Sequence, residues 1–513
     1  MARQDFDAIV VGAGHNGMTA AAYLARAGKK VLVLEARQKV GGMATTEEFH
    51  PGFRASTVAQ TLNLLHPRVL ADLDLEHLGL TWASRSLVPL SLGPGGPVEL
   101  GKGHDGDSDA WRALMARLAR YAGALAPALP KSPPSLAIDS FANKLEFLKF
   151  GWGLRKLGAK DMRDMMRIVA MNASDLGDEC FAGDRAKGAL AFDAIAGTRM
   201  GPRSPGTVYT LLYRMAGAIG GRAGAVGLPA GGMGAVADAF ATAARARGVE
   251  IRTGMAVSGI LIENDHAVGV VLAGGDELRA PLVLSNADPR TTFLHLVGPT
   301  GLDTLFSRRV RHWRDRGVMA RLHLALDAKP QFGADVENAR MLLAESRDAV
   351  ERAFDDVKYG GPAQRPVMEA IVPSLADPSL APEGKHVLSA TVAFGPPGLD
   401  AAAREAFADR IVARLAEHAP GLPDLILGRE LLLPDDIAAR YGVSGGHWHH
   451  GEISLDQVWV LRQGPGVKPY RTPIPGLYLA GSGAHPGGGI TGLPGRNAAL
   501  AAIEDLKNQG GGH

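Results

Sequence analysis

Apolar positions follow two different periods along this chain. Near the N-terminus the run Ala8 to Val11 is short and wholly apolar, the pattern of a strand buried on both faces. Gly12, Gly14 and Gly17 follow, and then an alanine-rich stretch with helical spacing that stops at Gly28. A second apolar run, Val31 to Leu34, ends in Glu35. The pattern predicts a β-α-β unit within about thirty residues. Ala230-Gly231-Gly232-Met233-Gly234 precedes a helical pattern to Arg247, and Val249 to Arg252 reads as a strand. Val257 to Val271 alternates around Asn264-Asp265 and predicts a hairpin. Near the C-terminus Leu477 to Ala480 reads as a strand, Gly481-Ser482-Gly483 as its turn, and Gly495 to Leu506 as a helix.

The first unit has the parts needed to hold a dinucleotide. Gly12 permits the tight turn, Gly14 lets backbone N–H groups approach a pyrophosphate, and Gly17 lets the helix pack close to its strand. The helix N-terminus, with His15 and Asn16, faces the phosphate charge. Glu35, with Ala36 behind it, ends the second strand where a carboxylate accepts hydrogen bonds from ribose hydroxyls and repels a 2′-phosphate. The unit alone leaves NAD and FAD open. Val40-Gly41-Gly42-Met43 follows too soon to belong to another domain, and suggests a further backbone approach to the same ligand.

Composition narrows the class. The chain has 513 residues, enough for two or more domains, and its 46% apolar and 21% charged residues are those of a globular protein. The 66 glycines are nearly twice the usual share and point to several tight backbone approaches. A net charge of +2 provides no global field for nucleic acid, so no nucleic-acid partner is expected. Cys180 is the sole cysteine, which excludes an intrachain disulfide and dithiol chemistry. No signal-peptide pattern and no run of eighteen apolar residues occurs, so a cytoplasmic protein is expected.

With the Gly41-Gly42 pair the chain resembles the flavoprotein superfamily of amine oxidases and bacterial-type phytoene desaturases, in which such a segment lies along FAD. The segments 45–56, 228–244, 282–289, 445–459 and 476–499 are similar to the carotenoid and retinoid oxidoreductase family, phytoene desaturase-like flavoproteins. Within it they look closest to the branch of pyridine nucleotide-disulphide oxidoreductase domain-containing proteins. The resemblance implies FAD, with Gly41, Gly42 and Met43 along it and the backbone of Val257 at its adenine. At the C-terminal motif, Gly481, Ser482, Gly489 and Ile490 are assigned to the flavin end, where backbone donors can stabilise charge on a reduced ring. Many related flavoproteins carry Asp where Ser482 stands.

The expected fold class is therefore α/β, a discontinuous Rossmann-like FAD-binding domain formed by 1–80, 225–295 and 465–508. A mixed α+β substrate domain takes 81–224 and 296–464. No second strand-GxGxxG-helix unit exists for a nicotinamide nucleotide. Proton-transfer candidates are His450, one of three histidines in Gly445 to Gly451, and His485 beside the flavin loop. A metal site of His447, His449 and His450 lacks accompanying Cys or carboxylate ligands other than Glu452, and no metal is expected. Residues 141–168 hold seven basic and three acidic side chains among Phe, Leu, Trp and Met, a segment suited to a lid or a membrane-facing surface, or to a pair of solvated helices. The expected activity is FAD-dependent oxidation, such as desaturation, of a long apolar small molecule or lipid (isoprenoid, polyene or acyl chain), with peripheral membrane contact. The alternatives are an amine-oxidase-like flavoenzyme and a non-catalytic flavin-binding protein.

Overall fold

The computed structural model describes residues 6–103, 106–134, 141–462 and 467–510; the remaining parts of the segments named above, such as 1–5 and 465–466, lie outside the described residues. Two sheets organise the chain. The first has five parallel strands in the order Glu250–Arg252, Val31–Leu34 (β2), Ala8–Val11 (β1), Leu282–Ser285 and Leu477–Leu479. Its strands therefore come from three distant parts of the sequence. Every residue of β1, β2 and Leu282–Ser285 is buried, because both faces of the sheet are covered.

The period of two decides which side chain meets which layer. Ala8, Val10, Val31 and Val33 pack with the helices His15–Arg26 (α1), Met233–Arg245 and Leu493–Gly510. Ile9, Val11, Leu32 and Leu34 pack on the opposite face against the antiparallel strands Val257–Glu263, His266–Leu272 and Glu277–Arg279. Asn264 and Asp265 turn the first hairpin with φ 49° and 63°, the left-handed pair that matches strand twist. Close approach of α1 needs glycine on both sides of it. A Cβ on Gly17 would stand 2.1 Å from the Gly12 carbonyl oxygen, and one on Gly495 would stand 1.9 Å from that of Asn16.

The second sheet has seven strands, in the order Ile426–Leu432, Met319–Leu326, His386–Ala393, Met368–Ile371, Ala339–Leu343, Val88–Ser91 and Val98–Glu99. All its pairings are antiparallel except that of Ala339–Leu343 with Val88–Ser91. Ala320, Leu322, Leu324 and Leu326 point to the helix Ala401–Ala416, whose Phe407, Ile411 and Leu415 are fully buried. The intervening Arg321 and His323 are buried as well, on the other face. That face packs on Phe53, Ala55 and the segment from Thr57 to Gln60, and through Met319 and Arg321 it closes one side of the site.

Candidate functional site

A cavity of about 440 Å³ is lined by residues of both sheets. One end is built by the turns that follow the parallel strands, the usual place for a ligand in such a sheet. Gly12, Gly14, His15 and Asn16 line it at the start of α1, Glu35 and Ala36 at the end of β2, then Gly41, Gly42 and Met43. Val257, Ser482, Gly489 and Ile490 complete this end, brought in from more than two hundred residues away. Gly17 and Gly481 are not among the lining residues. The first faces the Gly12 carbonyl, and a Cβ on the second would stand 2.7 Å from the Asn286 carbonyl oxygen, so both serve packing.

The donors and acceptors at this end fit a dinucleotide. Glu35, 8% exposed, accepts the Ala13 N–H at 2.8 Å and the Arg37 N–H at 3.0 Å. Each carboxylate oxygen is thus aimed while keeping lone pairs for ribose hydroxyls. Gly14 caps α1 without a side-chain hydrogen bond, and no acidic residue stands in the first turn, which leaves backbone donors for phosphate oxygens. His15 Nε2, Asn16 Oδ1 and Arg37 Nη1 are buried with no partner among the described residues, as expected of a site shaped for a polar ligand. Burial lowers the His15 imidazole to about 3, so it is neutral at pH 7. Asn16 Nδ2 donates to Ser482 Oγ at 3.2 Å and ties the first motif to the last.

The other end is apolar over much of its wall. Leu64, Phe192, Met319 and Ile453 line it together with Trp448. His449 and His450 line it too, whereas His447 does not. His447 is instead tied to the chain, its Nδ1 accepting the His449 N–H at 3.1 Å. His485, the other proton-transfer candidate, does not line the cavity. Its Nε2 lies toward the Ala128 carbonyl at 3.4 Å, because the loop turns its ring toward residues 128–129. His450 adopts φ 55°, a costly conformation for a side chain with a Cβ, and Nδ1 has no partner among the described residues. Burial lowers its basicity, opposed by the nearby charge of Asp288. Burial would raise Asp288, but His450 and the hydrogen bonds from Thr291 and Ser444 hold it below the ordinary carboxylate range.

Several lining residues escaped the sequence reading. Asn286 donates to the Gly12 carbonyl at 3.3 Å, beside the glycine turn that precedes α1. Arg321, Thr391 and Glu369 form a polar row across three adjacent strands, in the registers Arg321 to Thr391 and Thr391 to Glu369. One signal was available: in Met319-Ala320-Arg321-Leu322-His323-Leu324 a charged and a titratable residue occupy alternate positions of an otherwise apolar strand.

Residues 17–499 match the family model described as flavin containing amine oxidoreductase. Among curated proteins the chain is 36% identical to "Pyridine nucleotide-disulfide oxidoreductase domain-containing protein 2" of Rattus norvegicus, over 99% of this chain and 94% of that one. It is 27% identical to a limonene dehydrogenase polypeptide of Castellaniella defragrans, over 98% and 95% of the two chains. Among solved structures, an oxidoreductase from Methanosarcina mazei superposes with TM-score 0.61 at 19% identity, covering 97% of this chain and 99% of that one.

Proposed function

The chain belongs to the flavin-containing amine oxidoreductase family and is an FAD-dependent oxidoreductase, and within that activity we propose that it dehydrogenates a long apolar substrate in the manner of phytoene desaturases. The observation that carries this reading is the continuous cavity, which runs from the dinucleotide-shaped end to a wall of Leu64, Phe192, Met319 and Ile453. The relative named limonene dehydrogenase supports an isoprenoid-like substrate. When bound, FAD supplies the acceptor for the two electrons of a broken C–H bond. The chain supplies the rest. Glu35 and the first turn of α1 hold the dinucleotide, the segment from Gly489 to Ile490 backs the flavin end, and the apolar wall keeps water out. His450, neutral and facing Asp288, takes the proton released from the neighbouring carbon.

Anaerobic mixing of the holoprotein with a polyene, an acyl chain and a primary alkylamine tests the reading. Bleaching of the flavin by the apolar chains is expected; bleaching by the amine alone would assign amine oxidation instead. The proton acceptor adds a pH signature. Because burial places the His450 pKa below the ordinary 6.5, the neutral base persists as pH falls to that value. The acid limb of the flavin-reduction rate is expected to have its midpoint below pH 6.5, and His450→Asn is expected to lower the rate about 10²-fold or more. An acid limb centred above pH 7 in the wild type would remove His450 from this role.

The basic segment supports a membrane-facing surface for substrate entry. In the helix Phe141–Arg155, Phe147 and Phe150 pack on Trp459 with ring centroids 5.7 and 4.9 Å apart, while Leu148 and Trp152 are 69% and 64% exposed among Lys144, Lys149, Arg155 and Lys156. No helix among the described residues is long and apolar enough to cross a membrane. Co-sedimentation with anionic liposomes at low salt is expected, and Leu148→Ser with Trp152→Ser is expected to reduce it several-fold without loss of flavin. Equal sedimentation of the two proteins would argue for a substrate delivered through solution.

A further inference from the structure

Arg321 is the most deeply buried cation of the cavity wall, 4% exposed, and its hydrogen-bond partners are neutral. Nη1 donates to Gln60 Oε1 and Thr391 Oγ1. Gln60 is held in turn, with Nε2 donating to the Ser389 carbonyl at 2.9 Å and Oε1 also accepting from Thr391 Oγ1 at 2.8 Å. The guanidinium lies over the Trp448 ring, 5.1 Å from its centroid. Neutral partners therefore fix the plane of the group. Its other edge, Nε and Nη2, makes no hydrogen bond among the described residues, and Nε is fully buried.

The nearby carboxylates are committed elsewhere. Glu369 accepts from Arg340 Nε at 2.8 Å, and Asp193 accepts from Arg340 Nη1 at 3.1 Å while lying 3.6 Å from Arg214. Three guanidinium groups, those of Arg214, Arg321 and Arg340, thus share two carboxylates; Glu369 also acts on Arg321 by charge, but its hydrogen bond goes to Arg340, which leaves the three cations one negative charge short. A buried cation whose nearby carboxylate is hydrogen-bonded to another cation is costly unless a ligand supplies a further anion. The free edge presents two parallel N–H donors, the fork that matches a carboxylate.

We propose that Arg321 is a substrate-specificity residue that receives a carboxylate, so that the substrate is an apolar chain ending in a carboxylic acid. This rests on the apolar-substrate reading above and sharpens it. The single missing negative charge suits a carboxylate better than a phosphate monoester, which carries nearly two. An ammonium group at the same place would meet Arg321 and Arg214 as like charges.

The test is equilibrium dialysis of the FAD-loaded protein with dodecanoate, dodecanol, dodecylamine and benzoate, repeated with Arg321→Gln and Arg321→Lys. Dodecanoate is expected to bind at least tenfold tighter than dodecanol and more tightly still than dodecylamine. Arg321→Gln is expected to bring dodecanoate to the level of dodecanol with the FAD content per chain unchanged, and Arg321→Lys to keep part of the preference. Equal wild-type binding of the three twelve-carbon probes overturns the carboxylate assignment while leaving the apolar reading in place. Binding of benzoate without any twelve-carbon probe leaves the carboxylate site standing and removes the apolar reading; binding of none of the four removes both. Loss of FAD from Arg321→Gln, with the carboxylate preference retained in residual holoprotein, would assign the guanidinium to the cofactor and overturn the proposal.

Discussion

Arg340→Met is expected to destabilise the protein by about 3–5 kcal/mol at pH 7, the cost of removing one partner from a buried ion pair. Its guanidinium is only 7% exposed and joins Asp193, 15% exposed, to Glu369, 9% exposed, across neighbouring elements. Without it two carboxylates stay inside with only the charges of Arg214, 3.6 Å from Asp193, and of Arg321, in the row of Glu369, to offset them. Burial would raise Asp193, but Arg340 and Arg214 hold it below its ordinary value. In the native protein that depressed pKa contributes stability above the unfolded pKa of about 4, which is lost as pH falls through the folded value. In the variant the sign reverses. An unpaired buried carboxylate has a raised pKa, so its penalty grows as pH rises and shrinks on acidification. The difference in urea midpoint between wild type and Arg340→Met is therefore expected to be largest at pH 7 to 8 and smaller at pH 5. A pH-independent difference would mean that lost packing, not charge, sets the cost.

Glu35→Ala is expected to weaken FAD binding at least tenfold. A charge-assisted hydrogen bond from a ribose hydroxyl contributes about 1.5–3 kcal/mol, and one such bond already accounts for that factor. The substitution also takes the acceptor from the Ala13 N–H, which Glu35 Oε2 holds at 2.8 Å in the glycine turn. Glu35→Gln separates the two effects. Its amide still reaches the hydroxyls, yet one end of it must present N–H groups to the backbone donors of Ala13 or Arg37. An affinity between those of wild type and Glu35→Ala is expected on titration of apoprotein with FAD, and full affinity in Glu35→Ala would take the residue out of the site.

What could be read from the sequence follows how local the determining contacts are. The unit from Ala8 to Glu35 is written in consecutive residues: two apolar runs, a glycine turn and an alanine-rich helix whose small side chains allow close packing. The hairpin after Val257 was equally legible, since its turn needs residues that tolerate left-handed φ and has Asn264 and Asp265. The polar row of Arg321, Thr391 and Glu369 was not. Each is one residue in its own strand, and only the pairing of strands distant in sequence sets them side by side. The histidines could not be told apart for another reason. His450 and His485 look alike as residue types near glycine loops, and the backbone path alone turns one into the cavity and the other toward Ala128. In the basic segment the charges could be counted, but the apolar residues run around the helix, so the division between Phe147 and Phe150 on Trp459 and the exposed Leu148 and Trp152 depends on where the helix docks.

Everything proposed for this protein requires a dinucleotide in the cavity that joins the two sheets. Titration of the purified, flavin-stripped protein with FAD, followed by visible absorbance after removal of unbound ligand, tests it most directly. One FAD per chain is expected for the wild type, with less retained by Glu35→Ala at equal protein concentration. Protein that is folded by circular dichroism yet retains no flavin after purification and takes up none when FAD is added would contradict it.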